Sequence, residues 1–142
     1  MIKQIGRNVL AVVVGTVIGM AAMTALHRLS GLVYPMPAGV DPMSSDPAQQ
    51  AQLKAWFATL PAGAFVLATL AHGAGSLIAA LVATLIEGRK SLRPAIIVGV
   101  LFTIAGIMNL REIPHPAWFG WVDLPVYLPL AVLAGLGLRR RG

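Results

Sequence analysis

The chain has 142 residues, of which 57% are hydrophobic and 11% charged, with a formal net charge of +6 and no cysteine. Soluble domains carry roughly 25% charged residues, so this composition excludes an ordinary water-soluble globule and points to a polytopic membrane protein. The missing cysteine excludes disulfides, thiolate catalysis and cysteine metal sites. The cationic excess falls where membrane topology wants it, not in a nucleic-acid-binding patch.

The first apolar run, Val9 to Leu26, follows the basic residues Lys3 and Arg7. It exceeds the roughly 7–15 residues of a signal-peptide core, so it is read as a transmembrane helix. Ala11, Gly15 and Gly19 recur every four residues, and the last two form a GxxxG. Such a column lets another helix approach closely, either within the chain or from a second subunit.

Residues 27–60 form the longest polar stretch. Pro35, Pro37, Pro42 and Pro47 together with Gly31 and Gly39 make its first half a loop. Asp46-Pro47-Ala48-Gln49 then reads as a helix start, with Asp46 as cap and Pro47 in the first turn. The spacing predicts a short amphipathic helix over about residues 47–59, with Leu53, Trp56, Phe57 and Leu60 on one side. That side would lie on the membrane interface or on the protein itself.

The second span, about residues 62–86, has no formal charge. At 1.5 Å per residue it is roughly 37 Å long, enough to cross a hydrocarbon core of about 30 Å. Ala71, Gly75, Ala79 and Ala83 form a small-residue column, and His72, Ser76, Ala80 and Thr84 form a partly polar one beside it. His72 is the one ionisable side chain deep in any apolar segment, and such a residue marks a functional site by default. Ser76, one turn further on, is expected to bond the carbonyl four residues back in its own helix. The turn from Glu87 to Arg93 is dense in charge and open to lipid headgroups or a partner.

The third span covers about residues 94–110, with Pro94 in its first turn, Gly99, Thr103 and Gly106 on a small side, and Asn109 closing it. The loop 111–123 follows. It holds Arg111, Glu112, His115 between Pro114 and Pro116, two tryptophans, and Asp123 as the expected cap of a fourth span. That span covers about residues 124–138 and is entered through Pro125 and Pro129. On this reading no span carries an internal carboxylate. His72 then lies too deep to join the cluster of Asn109, Arg111, Glu112, His115 and Asp123 unless the loop dips into the bundle.

Lys3, Arg7, Arg89, Lys90, Arg93 and Arg139 to Arg141 fall on one side, against Arg28, Lys54 and Arg111 on the other. This imbalance predicts both termini in the cytoplasm of a bacterial-type inner membrane. All three tryptophans and both tyrosines fall on or near the opposite side. The expected fold is all-α: one domain, a bundle of four transmembrane helices with a short amphipathic interfacial helix in the first outer loop.

No P-loop, dinucleotide fingerprint, haem motif or nucleic-acid motif occurs, so no cofactor is implied. The expected partners are the lipid bilayer and either further copies of the chain or another membrane protein. The first functional expectation is a non-enzymatic accessory or oligomer-forming subunit, packed through Gly15, Gly19, Gly75 and Ala79. The second is a carrier or pore for a small solute or lipid-like ligand, with His72 in its path, Ser76 beside it and the Asn109–Asp123 cluster at its mouth. The third is a membrane-embedded enzyme whose Glu112, His115 and Asp123 converge for acid–base or metal chemistry, with His27 as a further metal ligand.

Overall fold

The structure, a computed structural model, describes residues 2–139, so Arg140 and Arg141 of the basic tail lie outside the described residues. Five helices follow one another: α1 (Ile2–Val33), α2 (Pro47–Thr59), α3 (Ala62–Glu87), α4 (Arg93–Glu112) and α5 (Phe119–Leu138). Among the described residues, all but α2 are long and apolar enough to cross a membrane. The chain is an all-α integral membrane protein built on a four-helix bundle.

Local chemistry sets the helix ends. α1 extends beyond the apolar run of residues 9–26 in both directions. Gln4 bonds Asn8 one turn on at 3.0 Å, and no proline interrupts the helix before Pro35. α2 begins as its sequence demands: Asp46 accepts from the Ala48 N–H at 2.9 Å, and Pro47 occupies the first turn. α3 ends at Gly88, whose φ of 95° is a left-handed cap. α4 does not close at Asn109 but continues to Glu112, and the Ile113 N–H still reaches the Asn109 carbonyl at 3.0 Å.

The largest departure is α5, which begins at Phe119 and not at Leu124. Pro125 and Pro129 lie inside it, on the same exposed side as Trp121. Each proline withholds one N–H from the carbonyl four residues back. Because these positions share the outward side, the interruption never meets a packed neighbour. The expected loop 111–123 shrinks to residues 113–118, and Asp123 becomes a helical residue in the second turn.

Small residues set the packing. In lipid no hydrophobic force drives apolar helices together, so close backbone approach does the work. α1 runs antiparallel to α3. A Cβ on Gly15 would lie 2.5 Å from the Ala79 carbonyl oxygen, and one on Gly19 would lie 2.5 Å from the Ala79 Cβ and 2.6 Å from the Gly75 carbonyl oxygen. The column Gly15, Gly19, Gly75 and Ala79 is therefore consumed inside the chain. α5 packs on α3 and α4 in the same manner: a Cβ on Gly99 would meet Ala131 at 2.9 Å, and one on Gly106 the Tyr127 ring at 2.7 Å. The core between these crossings is Ala11, Ala79, Ala83, Val98, Phe102 and Tyr127.

Helix length creates the one large irregularity. α3 has 26 residues, whereas α4 and α5 have 20 each. At 1.5 Å per residue the α4–α5 hairpin is about 9 Å shorter than α3. The α3–α4 turn holds these helices level at the arginine-bearing end. Buried Glu87 accepts there from the Lys90 and Ser91 N–H groups at 2.8 and 3.1 Å and from the Gln4 amide at 3.2 Å. The whole deficit therefore falls at the tryptophan-bearing end, where the residue 113–118 connection sits below the tops of α1 and α3. α2 crosses this recess. It buries no residue fully, and its half-buried positions include Leu53, Trp56 and Phe57, with Leu60 just after it, the side the sequence marks as apolar.

The α1–α3 contact yields a direct test. Gly19→Val forces backbone apart, and overpacking of this kind costs about 1–3 kcal/mol. Gly6, where an added Cβ would meet no atom within 4 Å, should accept Ala with no loss, since alanine favours helix by up to about 1 kcal/mol. Thermal melting in detergent, followed by circular dichroism, should show a lower Tm for Gly19→Val and none of that loss for Gly6→Ala.

Candidate functional site

His72 lies ten residues into α3 and Asp123 four residues into α5. Because α5 starts about 9 Å lower than α3, the two positions are level. Their side chains meet: His72 Nδ1 and Asp123 Oδ1 are 2.7 Å apart, with the residues 5% and 1% exposed. The Tyr127 hydroxyl, one turn beyond Asp123 on the same side of α5, donates to Asp123 Oδ2 at 2.9 Å. Both carboxyl oxygens thus have a partner, which a carboxyl group removed from water requires. The His72 and Tyr127 rings stack with centroids 5.6 Å apart, and the His27 ring of α1 meets His72 edge-on at 5.1 Å.

Ser76 does not bond its own helix. Its hydroxyl donates across to the Tyr127 backbone carbonyl at 2.8 Å. The interhelical bond forms because α3 and α5 are so close here that a Cβ on Gly73 would lie 2.9 Å from Leu130. Ser76 therefore fixes the height of α5 against α3, and with it the pairing of Asp123 and His72. With that hydroxyl committed to a carbonyl, Ser76 is a positioning residue rather than a nucleophile.

Two cavities meet at this cluster. One, of about 400 Å³, fills the recess under α2, with walls from α1, α3 and α4; His27, Tyr34, Trp56, Phe65, His72 and Asn109 are among its lining residues. The other, of about 290 Å³, lies between α1 and α4 beside Met20, Met23, Leu101, Phe102 and Ala105. His72 and Asn109 line both. No Lys, Arg, Asp or Glu is among the lining residues of either. His72 Nδ1 is engaged with Asp123, whereas Nε2 has no hydrogen-bond partner among the described residues. It is the ring nitrogen left for whatever enters.

The remaining loop residues go elsewhere. His115 lines the larger cavity but places Nε2 3.1 Å from the Leu110 carbonyl and Nδ1 3.0 Å from that of Pro116. It is a latch between the end of α4 and the connection. Arg111 and Glu112 are exposed on the last turn of α4. Glu112, His115 and Asp123 thus do not form one site, and among the described residues no group of three or more His, Asp or Glu is placed to hold a metal ion. The expectation that no span holds a carboxylate is corrected by Asp123, which resembles a cap in the sequence because the prolines behind it look like a helix start. The sequence counts Tyr127 only among the aromatics of the outer side and offers His27 only as a further metal ligand. The four-residue spacing of Asp123 and Tyr127 carries the signal once the helix begins at Phe119.

No family model, curated protein or solved structure matches this chain.

The buried pair makes a stability prediction. Removing one partner of a buried polar pair costs about 3–5 kcal/mol, whereas replacing both by apolar residues of similar size is often neutral. His72→Leu and Asp123→Leu should each lower the Tm strongly, and the double variant should be more stable than the sum of the two losses predicts. Tyr127→Phe, which leaves Asp123 Oδ2 without its donor, should cost about 1–3 kcal/mol. Additive losses in the double variant would contradict the pairing.

Proposed function

We propose that this chain is a membrane-embedded binding protein or carrier for a small, largely apolar ligand with one hydrogen-bonding head. The observation that carries this reading is the free edge of a buried histidine at the meeting point of two cavities. Ligand sites are concave, mostly apolar and furnished with a few convergent polar groups. The recess under α2 fits that description: aromatic walls, His27, Asn109 and Tyr34 at the margins, and His72 at its floor. Asp123 holds the His72 ring in one orientation, and a fixed ring directs a hydrogen bond at a fixed point.

The small-residue column that motivates an oligomer-forming subunit is occupied by the α1–α3 contact, which weakens the support for that reading. The third expectation, an enzyme using Glu112, His115 and Asp123, lacks the convergence it requires.

Orientation belongs to the same proposal. Among the described residues Lys3, Arg7, Arg89, Lys90, Arg93 and Arg139 gather at one end and Arg28, Lys54 and Arg111 at the other. The basic end faces the cytoplasm of a bacterial-type inner membrane, and the recess under α2 then opens toward the extracytoplasmic side. The chain has no cysteine, so single substitutions report cleanly. A membrane-impermeant thiol reagent should label Ser45→Cys in intact cells and Lys90→Cys only after permeabilisation. The reverse pattern would invert the topology.

Binding is tested with 1-dodecanol, an apolar chain with one hydroxyl, added to the full chain in detergent and read by native mass spectrometry. A one-to-one adduct is expected. Ala68→Trp, which fills the recess, should reduce the bound fraction at least fivefold. Trp121→Phe should leave it unchanged, because Trp121 is 85% exposed on the outside of α5. Equal binding by all three proteins would reject the site.

A further inference from the structure

The second cavity shows what kind of molecule the site takes. It continues from His72 along the side where α1 and α4 face each other, past Met20 and Leu101, both of which are exposed on the bundle surface at 57% and 43%. In a bilayer this seam faces hydrocarbon. The α1–α4 contact has none of the glycine crossings that close α1 on α3, so the seam is left unfilled. The buried hydroxyl of Thr16 at its far end has no hydrogen-bond partner among the described residues. A ligand whose head lies at His72 can therefore lay a chain along this seam without leaving the membrane.

The head must be uncharged. A phosphate or carboxylate at His72 would be held by Lys or Arg, and neither cavity is lined by either. A quaternary ammonium has no hydrogen to exchange with Nε2 and would leave that edge unpaired, and the one carboxyl group near the site is already engaged by His72 and Tyr127. What remains is a neutral head that makes one or two hydrogen bonds between aromatic walls.

The His72–Asp123 bond refines this further. One proton bridges Nδ1 and Oδ1 across 2.7 Å. With the proton on Nδ1, Asp123 is a carboxylate and Nε2 offers a lone pair. When the pair holds one proton more, taken up from water through the recess, the bridging proton sits on Oδ1, Nε2 carries an N–H and Asp123 is neutral. The first arrangement accepts from a hydroxyl and the second donates to a carbonyl. The site is thus suited to a head that exists in both forms. A quinone carbonyl and the corresponding quinol hydroxyl are such a couple, and their flat ring matches a space walled by Tyr34, Trp56, Phe65 and the His27 ring.

We infer that the two cavities together hold a lipid quinone in either redox state, its ring at His72 and its chain in the α1–α4 seam. This rests on the binding role proposed above and names the ligand class. It claims recognition of both forms and no electron transfer.

The probes are decylubiquinone and decylubiquinol, the latter kept reduced under anaerobic conditions, added to the full chain carrying 1-dodecanol. Native mass spectrometry should show each displacing dodecanol one to one. Didecanoyl phosphatidylglycerol, with an anionic head on similar chains, should not displace it. Ala105→Trp, an exposed position that lines only the seam, should reduce binding of both quinone forms at least fivefold at an unchanged Tm. His72→Phe should reduce both as well. If dodecanol stays bound while neither quinone form displaces it, the quinone class is wrong and the binding role stands. If only one redox form binds, the two-state hydrogen bond is wrong. If Ala105→Trp binds like the parent chain, the chain of the ligand does not use the seam. If dodecanol and both quinones all fail to bind, the inference and the binding role fall together.

Discussion

A carboxyl group placed inside an apolar bundle dominates the organisation of this chain. Lipid offers it no hydrogen bonds, and an unsatisfied polar group there costs several kcal/mol. Asp123 must therefore be met by donors from the protein, and they arrive from two helices: His72 of α3 and Tyr127 of α5 itself. That requirement fixes the vertical register of α5 on α3. Ser76, bonded to the Tyr127 carbonyl, locks the same register one turn lower. The glycines of α3, α4 and α5 then serve to bring backbones near enough for these short side chains to reach.

The register has a geometric cost at one end. Matching Asp123 to His72 sets the start of α5 below the start of α3, because α4 and α5 are each six residues shorter than α3, 20 against 26. The resulting recess is not an accident of loose packing. It follows from unequal helix lengths pinned level at the opposite end, and α2 lies across it with its aromatic side turned inward. Fold and site thus have one origin, the depth at which two side chains of opposite helices are required to meet.

Much of this is legible in the sequence. Uninterrupted apolar length predicts the spans, because few soluble structures tolerate such runs. The cap at Asp46 and the proline after it predict α2, because a cap is a local matter of side chain and backbone. His72 stands out because nothing else ionisable lies so deep in an uncharged run. What stays hidden depends on neighbours. Pro125 and Pro129 read as the entrance to a helix, yet they sit on the outer side of one already begun at Phe119, and this single shift of start removes Asp123 from the loop and puts it beside His72. Ser76 gives no sign that it bonds across to another helix, since its choice depends on a carbonyl supplied by α5. His27 lies just past an apolar run, and only the continuation of α1 carries it to the histidine opposite.

Glu87 has a consequence for motion. By clasping the backbone of the α3–α4 turn and reaching Gln4 of α1, it ties three helices together at a single point beside a left-handed glycine. An assembly clamped so firmly at its foot bends as a set of cantilevers: amplitude grows toward the free tips. Amide protons near the clasp should therefore exchange more slowly than those at the end where α2 rests.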